Sequence, residues 1–176
     1  FDNSTMNPGN YTFEKMFSGG YFGGLCLTVL KAAAAEGVFS QPTRELLNNL
    51  TELSSNDASN IVGNQGSEES KLKECFKTRN DEVSCKEIID SLIERASKLV
   101  ASNIAAVVLK TGKGKSAGSP ILITIEGTTF YKLHNLKDLF EGYLEDYLSG
   151  ERKRYVKFTE VAQSSLIGAA LAALID

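Results

Sequence analysis

The sequence is poor in the residues from which metal centres and disulfide frameworks are built: among 176 residues it has one histidine and three cysteines. Cys26, Cys75 and Cys85 are odd in number and show no C-x-x-C spacing, which fits reduced thiols in a cytoplasmic protein and, with a single His134, speaks against a Cys/His metal site. Cys26 lies in an apolar helical stretch and reads as a small core residue. Nor is there an excess of basic charge. A formal net charge of −3 and a pI near 5.3 argue against nucleic acid or an anionic membrane surface as the main partner, because both demand a concentrated basic face. No apolar run approaches the roughly 20 residues of a membrane span. Phe1 to Thr5 has neither a basic start nor an apolar core, so no secretory signal is expected there. What remains, 42% apolar and 23% charged residues, suffices for one globular domain over 1–176, mainly helical over 1–111 and forming a βαβα unit over 121–176.

The chain is organised around Asn7 to Glu36. Phe13, Met16, Phe17, Tyr21, Phe22, Leu25, Val29 and Leu30 recur at three- and four-residue steps, predicting one buried helix face. Asn7-Pro8-Gly9-Asn10 is turn chemistry, so the helix is predicted to begin near Tyr11 to Phe13. Glu14 then falls in its first turn, where the helix dipole favours a carboxylate; a dipole-matched surface residue is the plainest reading. Gly19, Gly20, Gly23 and Gly24 each cost about 0.5–1 kcal/mol in a helix interior relative to alanine. Such a stripe admits either a closely packed second backbone or a flat ligand.

Asn7-Pro8-Gly9, Phe13-Glu14-Lys15-Met16, Ser18-Gly19 and Tyr21-Phe22-Gly23, taken in order, resemble the N-P-G, F-E-K-M, S-G, Y-x-G signature in the large domain of the eukaryotic-type hexokinases. A second block, Gly127-Thr128-Thr129-Phe130-Tyr131-Lys132-Leu133-His134, resembles the same family's D-G-T, Y-K, H segment at about the family's separation. Two ordered blocks are far more specific than one short motif. The resemblance implies an α/β, helix-rich fragment of an actin-like, ribonuclease-H-like ATPase lobe with a small, mainly parallel sheet.

Further along, Pro42 to Glu45 opens a short helix with Leu46, Leu47, Leu50 and Leu53 as its apolar positions. Ser54 to Asn60 is dense in capping side chains and reads as a loop leading into another helix around Ile61. Gly63 to Asn80 is polar, a solvated helix and a loop. From Asp81 or Ser84 an apolar pattern runs to Thr111-Gly112 as an unusually long helix, slimmed by Ala101, Ala105 and Ala106 where it would lie against a sheet. Gly112-Lys113-Gly114-Lys115-Ser116 ends like a phosphate loop, but Leu109 stands where that motif needs its first glycine, and the segment leaves a helix instead of joining a strand to one. It is a basic linker. Ile121 to Glu126 reads as a strand covered on both faces, and Phe130 to Leu133 as a segment that pairs back or runs on as a short strand. Leu136 to Leu148 is a helix and Tyr155 to Val161 an alternating strand. Gln163-Ser164-Ser165 caps a last helix, Leu166 to Ile175, apolar nearly all round and so predicted to be buried.

Two turns at the C-terminal ends of the strands, Gly127-Thr128 and Gln163-Ser164-Ser165, fall where open α/β sheets place ligands. Serines at a helix start either cap it or help hold a phosphate. The resemblance implies roles at both turns and in the first block. Glu14 matches a carboxylate that accepts hydrogen bonds from hexose hydroxyls. Gly127, Thr128 and Ser165, with Gly19, Gly20 and Ser55, match the surroundings of ATP, which brings Mg²⁺ with it. Tyr131, Lys132 and His134 read as packing or surface residues. Two departures stand out: Ser164 to Ala170 replaces a loop of the form G-S-G-K-G-A-A, losing its lysine, and Glu126 replaces an aspartate. The family's proton acceptor lies upstream of the Asn-Pro-Gly block, in the smaller domain, so no catalytic or metal-binding residue is assigned here. The implied parent function is ATP-dependent phosphorylation of a hexose at its 6-hydroxyl, in partnership with the N-terminal part of the protein. The alternative is a hexokinase-like regulatory or sugar-binding module without catalysis.

Overall fold

The computed structural model describes residues 1–63, 71–161 and 163–175. The first part of the polar segment expected over Gly63 to Asn80 falls outside them. In chain order the helices and strands are α1 (Phe22–Ala35), α2 (Gln41–Asn49), α3 (Ser55–Val62), α4 (Lys71–Cys75), α5 (Arg79–Lys110), β1 (Ile121–Thr124), α6 (Thr128–Lys132), α7 (Leu136–Tyr147), β2 (Val156–Thr159) and α8 (Ser164–Ala172). This is the helix-rich α/β class expected, and β1 and β2 are parallel. Among the described residues no helix is long and apolar enough to cross a membrane. The chain divides into two compact units: Phe1–Ala96 with Leu133–Leu136, and Ser97–Lys132 with Lys137–Asp176.

In the first unit α1 buries Phe22, Cys26, Leu30 and Ala34, one face at four-residue steps. The helix begins about ten residues later than its periodicity predicts. Glu14–Met16 forms a separate turn of 3-10 helix, Phe17 leaves helical geometry with ψ −13 at φ −153, and Phe13 is exposed. The break at Phe17 is held from outside the helix, where the Ser55 hydroxyl bonds both the Gly19 carbonyl and the Gly23 amide. Gly23 shows what the remaining glycines accommodate. A Cβ there would stand 2.1 Å from the Leu53 carbonyl oxygen, so a second backbone crosses α1 at this point.

Asp81 ties two helix starts together. It is 2% exposed, and its carboxylate accepts hydrogen bonds from the Ser40 amide (2.7 Å) and hydroxyl (2.8 Å), the Thr43 hydroxyl (3.0 Å), and the Thr78 amide (3.0 Å) and hydroxyl (2.8 Å). Ser40 precedes α2 and Thr78 precedes α5. The Asp81 amide in turn donates to the Thr78 hydroxyl, closing a reciprocal cap. That pair sets the start of α5 at Arg79, two residues before the earliest expected point.

In the second unit Ile121 to Thr124 pairs in register with Val156 to Thr159. Ile121, Ile123 and Ile125 of the first strand segment and Val156 and Phe158 of the second face Ala101, Ala105 and Val108 of α5, Phe140 and Leu144 of α7, and Leu148 just after it. The small residues of α5 thus lie against the sheet as expected, Ala106 excepted, which is exposed. Three expectations are corrected here. The strand expected to be covered on both faces is covered on one, for Leu122 is 65% exposed; a two-stranded sheet with α5 and α7 on one face leaves its other face to solvent. Phe130 to Leu133 is not a strand. Gly127, at φ +122, breaks the extended chain, and α6 follows at once. Finally, α8 buries none of its residues: Leu166, Ile167 and Leu171 are all exposed. An apolar helix is buried only where another layer meets it, and the described residues of this unit supply none.

Candidate functional site

In the first unit Glu14 stands on the 3-10 turn with its side chain exposed. The next residue points the other way. Lys15 is only 3% exposed, and its ammonium donates to Asp2 Oδ1 and to the Asn7 carbonyl, both at 2.5 Å. The other oxygen of Asp2 accepts from the Gly9 amide at 2.7 Å. These bonds, that to Lys15 foremost, hold the Asp2 carboxyl below its ordinary range. The Asn7-Pro8-Gly9 turn is thereby bound to the segment that carries Glu14. Ser55 lies on the far side of the glycine run. Its hydroxyl donates to the Gly19 carbonyl at 2.7 Å and accepts from the Gly23 amide at 3.0 Å. The second bond caps the first turn of α1 from outside the helix, so a phosphate drawn to Ser55 has to compete with Gly19 for its proton. Gly20 is exposed, with open space where a Cβ would sit.

In the second unit a cleft of about 440 Å³ opens beyond the C-terminal ends of β1 and β2, lined among others by Glu126, Gly127, Thr128, Lys132, Glu160 and Gln163. Gly127 and Thr128 thus stand where ligands of parallel sheets are held. Ser165 does not line this cleft. Its amide (3.1 Å) and hydroxyl (2.7 Å), together with the Ser164 hydroxyl (2.5 Å), all donate to Oε2 of Glu126. These donors, Ser164 first, hold the Glu126 carboxyl below its ordinary range. A carboxylate of the chain itself therefore occupies the positive end of α8. Lys132 was not singled out for this cleft from the sequence, and the turn of α6 after Gly127 carries it there; Gln163 belongs to the second expected ligand turn, and its left-handed backbone, at φ 57, brings it to the cleft. Tyr131 donates to the Ile125 carbonyl at 3.2 Å, and its phenol is raised above the ordinary value by burial and by the charge of Glu160. His134 belongs to the first unit, where its amide donates to the Ser59 hydroxyl at 2.8 Å and its ring lies against Gly63.

Both segments, the Asn7–Gly23 run and the Glu126–His134 turn, fall within the span that the comparison with known proteins covers. The hexokinase family model matches residues 1–175. The chain belongs to the hexokinase family. Hexokinase-2 of Solanum tuberosum is 27% identical over 184 residues, covering 98% of this chain and 37% of its own length. Hexokinase-4 of Arabidopsis thaliana is 25% identical, with 97% of this chain and 37% of its own length covered. Among solved structures, a hexokinase from Schistosoma mansoni complexed with glucose superimposes with a TM-score of 0.74 at 19% identity, over 96% of this chain and 38% of that one. The likeness of fold confirms the α/β lobe. The chain spans little more than a third of the hexokinases it matches.

Proposed function

We propose that this chain is the C-terminal portion of the large lobe of an ATP-dependent hexokinase that phosphorylates the 6-hydroxyl of glucose or a related hexose. The observation that carries the reading is that the family match runs from end to end and includes both sequence blocks, the one bearing Glu14 and the one bearing Gly127 and Thr128. Glu14 is the hexose acceptor, exposed on a turn held from behind. Gly127 and Thr128 line the part of the cleft that takes the phosphates of ATP and its Mg²⁺, where Lys132 adds a cation and Gln163 an amide. The three cysteines are unpaired and buried, which supports a reducing, cytoplasmic location. Proton abstraction from the sugar falls to a carboxylate of the N-terminal part of the protein.

One observation favours a second reading, a sugar-binding or regulatory module without catalysis. The donors at the start of α8 are bound to Glu126 instead of being left for a phosphate. Steady-state kinetics on the full-length protein test the proposal. Glu14→Ala is expected to raise the KM for glucose at least about tenfold, since hydrogen bonds to a charged group are worth roughly 1.5–3 kcal/mol, with little change in the KM for ATP. Equal effects on both substrates mark Glu14 as structural, and an unsubstituted protein that binds glucose without turnover supports the module.

A further inference from the structure

A buried lysine beside an exposed carboxylate needs an account, because desolvating an ammonium is costly unless its partners repay it. Lys15 has two such partners, and both belong to the segment before the Glu14 turn: the Asp2 carboxylate and the Asn7 carbonyl. Asp2 is itself anchored on two sides. Its second oxygen holds the Gly9 amide, and Phe1, its neighbour, packs on α1 so closely that a Cβ at Gly24 would stand 3.1 Å from the ring. The turn is also held by its backbone, since the Lys15 amide donates to the carbonyl of Tyr11, a residue in the left-handed region at φ 54. The chain of contacts therefore runs from α1 through Phe1 and Asp2 to Lys15, one residue from Glu14.

We propose that Lys15 and Asp2 are a positioning pair for hexose recognition: they touch no sugar, and they fix the turn on which Glu14 presents its carboxylate. The inference rests on the hexose reading of Glu14 and extends it to two residues behind the site. The physical reason is rotational. A carboxylate on an unsupported 3-10 turn samples several orientations, and an acceptor that must meet particular hydroxyls loses affinity when it is displaced by an ångström. An ammonium making two short bonds below the turn removes that freedom before the sugar arrives.

Calorimetric titration of the full-length protein with glucose and, separately, with ATP and Mg²⁺ tests this. Lys15→Met and Asp2→Asn are expected to weaken glucose binding about tenfold and to leave ATP binding within about twofold, with Lys15→Arg recovering most of the loss. Because Lys15→Met creates a buried mismatch, Asp2→Asn, whose amide oxygen still accepts from the Lys15 ammonium, serves as the milder variant, checked by cooperative unfolding that shows it folded at the temperature of the titration. In Asp2→Asn the Gly9 amide resonance is expected to move as its charged acceptor is lost. If glucose binds the unsubstituted protein, Glu14→Ala abolishes it, and Asp2→Asn and Lys15→Met bind as before, the positioning pair is overturned while the hexose site stands. If the unsubstituted protein and Glu14→Ala respond to glucose alike, the hexose reading of Glu14 falls and the pair falls with it. Equal loss of glucose and ATP binding in Asp2→Asn marks the pair as a support of the whole fold and overturns it as well.

Discussion

Asp81 is the residue on which the helical unit depends most directly. Five donors converge on its carboxylate, and they outweigh the burial that by itself would raise its pKa, so the group is held well below the ordinary carboxylate range. A carboxyl whose folded-state pKa is depressed stabilises the fold fully above its unfolded value, about 4, and loses that contribution as pH falls below it towards the folded value. Urea unfolding followed between pH 7 and pH 3 is therefore expected to show stability falling steeply at the acid end, with a flatter profile in Asp81→Asn. At neutral pH Asp81→Ala is expected to cost about 3–5 kcal/mol, because it strands donors at the starts of both α2 and α5. Gly23 is a second residue whose type its surroundings fix. Gly23→Ala puts a Cβ into the Leu53 carbonyl, and a loss of about 1–3 kcal/mol or more is expected in the same measurement.

At the scale of elements, α8 is held where it starts and not along its length. None of its residues is buried, and the side chain that its first turn bonds is Glu126, at the end of the β1 segment. Glu126→Gln removes the charge that matches the helix dipole and is expected to speed amide exchange across Ser164 to Ala172, leaving exchange in α5 and α7 unchanged. Acid has the same effect for the same reason. The Glu126 carboxyl is held below its ordinary range, so its hold on α8 is complete above the usual glutamate value and weakens as pH falls below it. Hydrogen exchange measured by NMR at neutral and acid pH reads both expectations; uniform protection of α8 in Glu126→Gln shows that apolar contacts anchor it instead.

For the molecule as a whole, a chain that spans 37% of the hexokinases it matches leaves surfaces that the rest of such a protein would meet. Leu122 on the outer face of the sheet and Leu166, Leu171, Leu174 and Ile175 at the C-terminal end are exposed, and β1 has one strand neighbour among the described residues. Apolar strand edges and helix faces without a covering layer promote association. The isolated 176-residue chain is expected to self-associate as its concentration rises tenfold, read by light scattering, and a monodisperse monomer with cooperative unfolding counts against this. It is also expected to show no glucose phosphorylation in a coupled assay, because the proposed function assigns the proton acceptor to a part of the protein outside these residues.

Periodicity and turn chemistry were enough to place α2, α5, α7 and the two strands, because each carries its own pattern of apolar spacing and its own stop signal, such as Gly112 after α5. The two motif blocks were enough for the family. Tertiary structure decided the rest. Phe13 to Phe22 has helical spacing throughout, yet the Ser55 hydroxyl takes the Gly19 carbonyl and the Gly23 amide, and α1 starts after the break. Nothing in the apolar run of α8 distinguishes a helix inside a layer from one at its margin; that depends on which elements surround it. Lys15 is the clearest case. By type it is a surface residue, and only the return of Phe1 and Asp2 onto α1 places a carboxylate where the ammonium can be buried, since burial of a charge is decided by a partner brought from elsewhere in the chain.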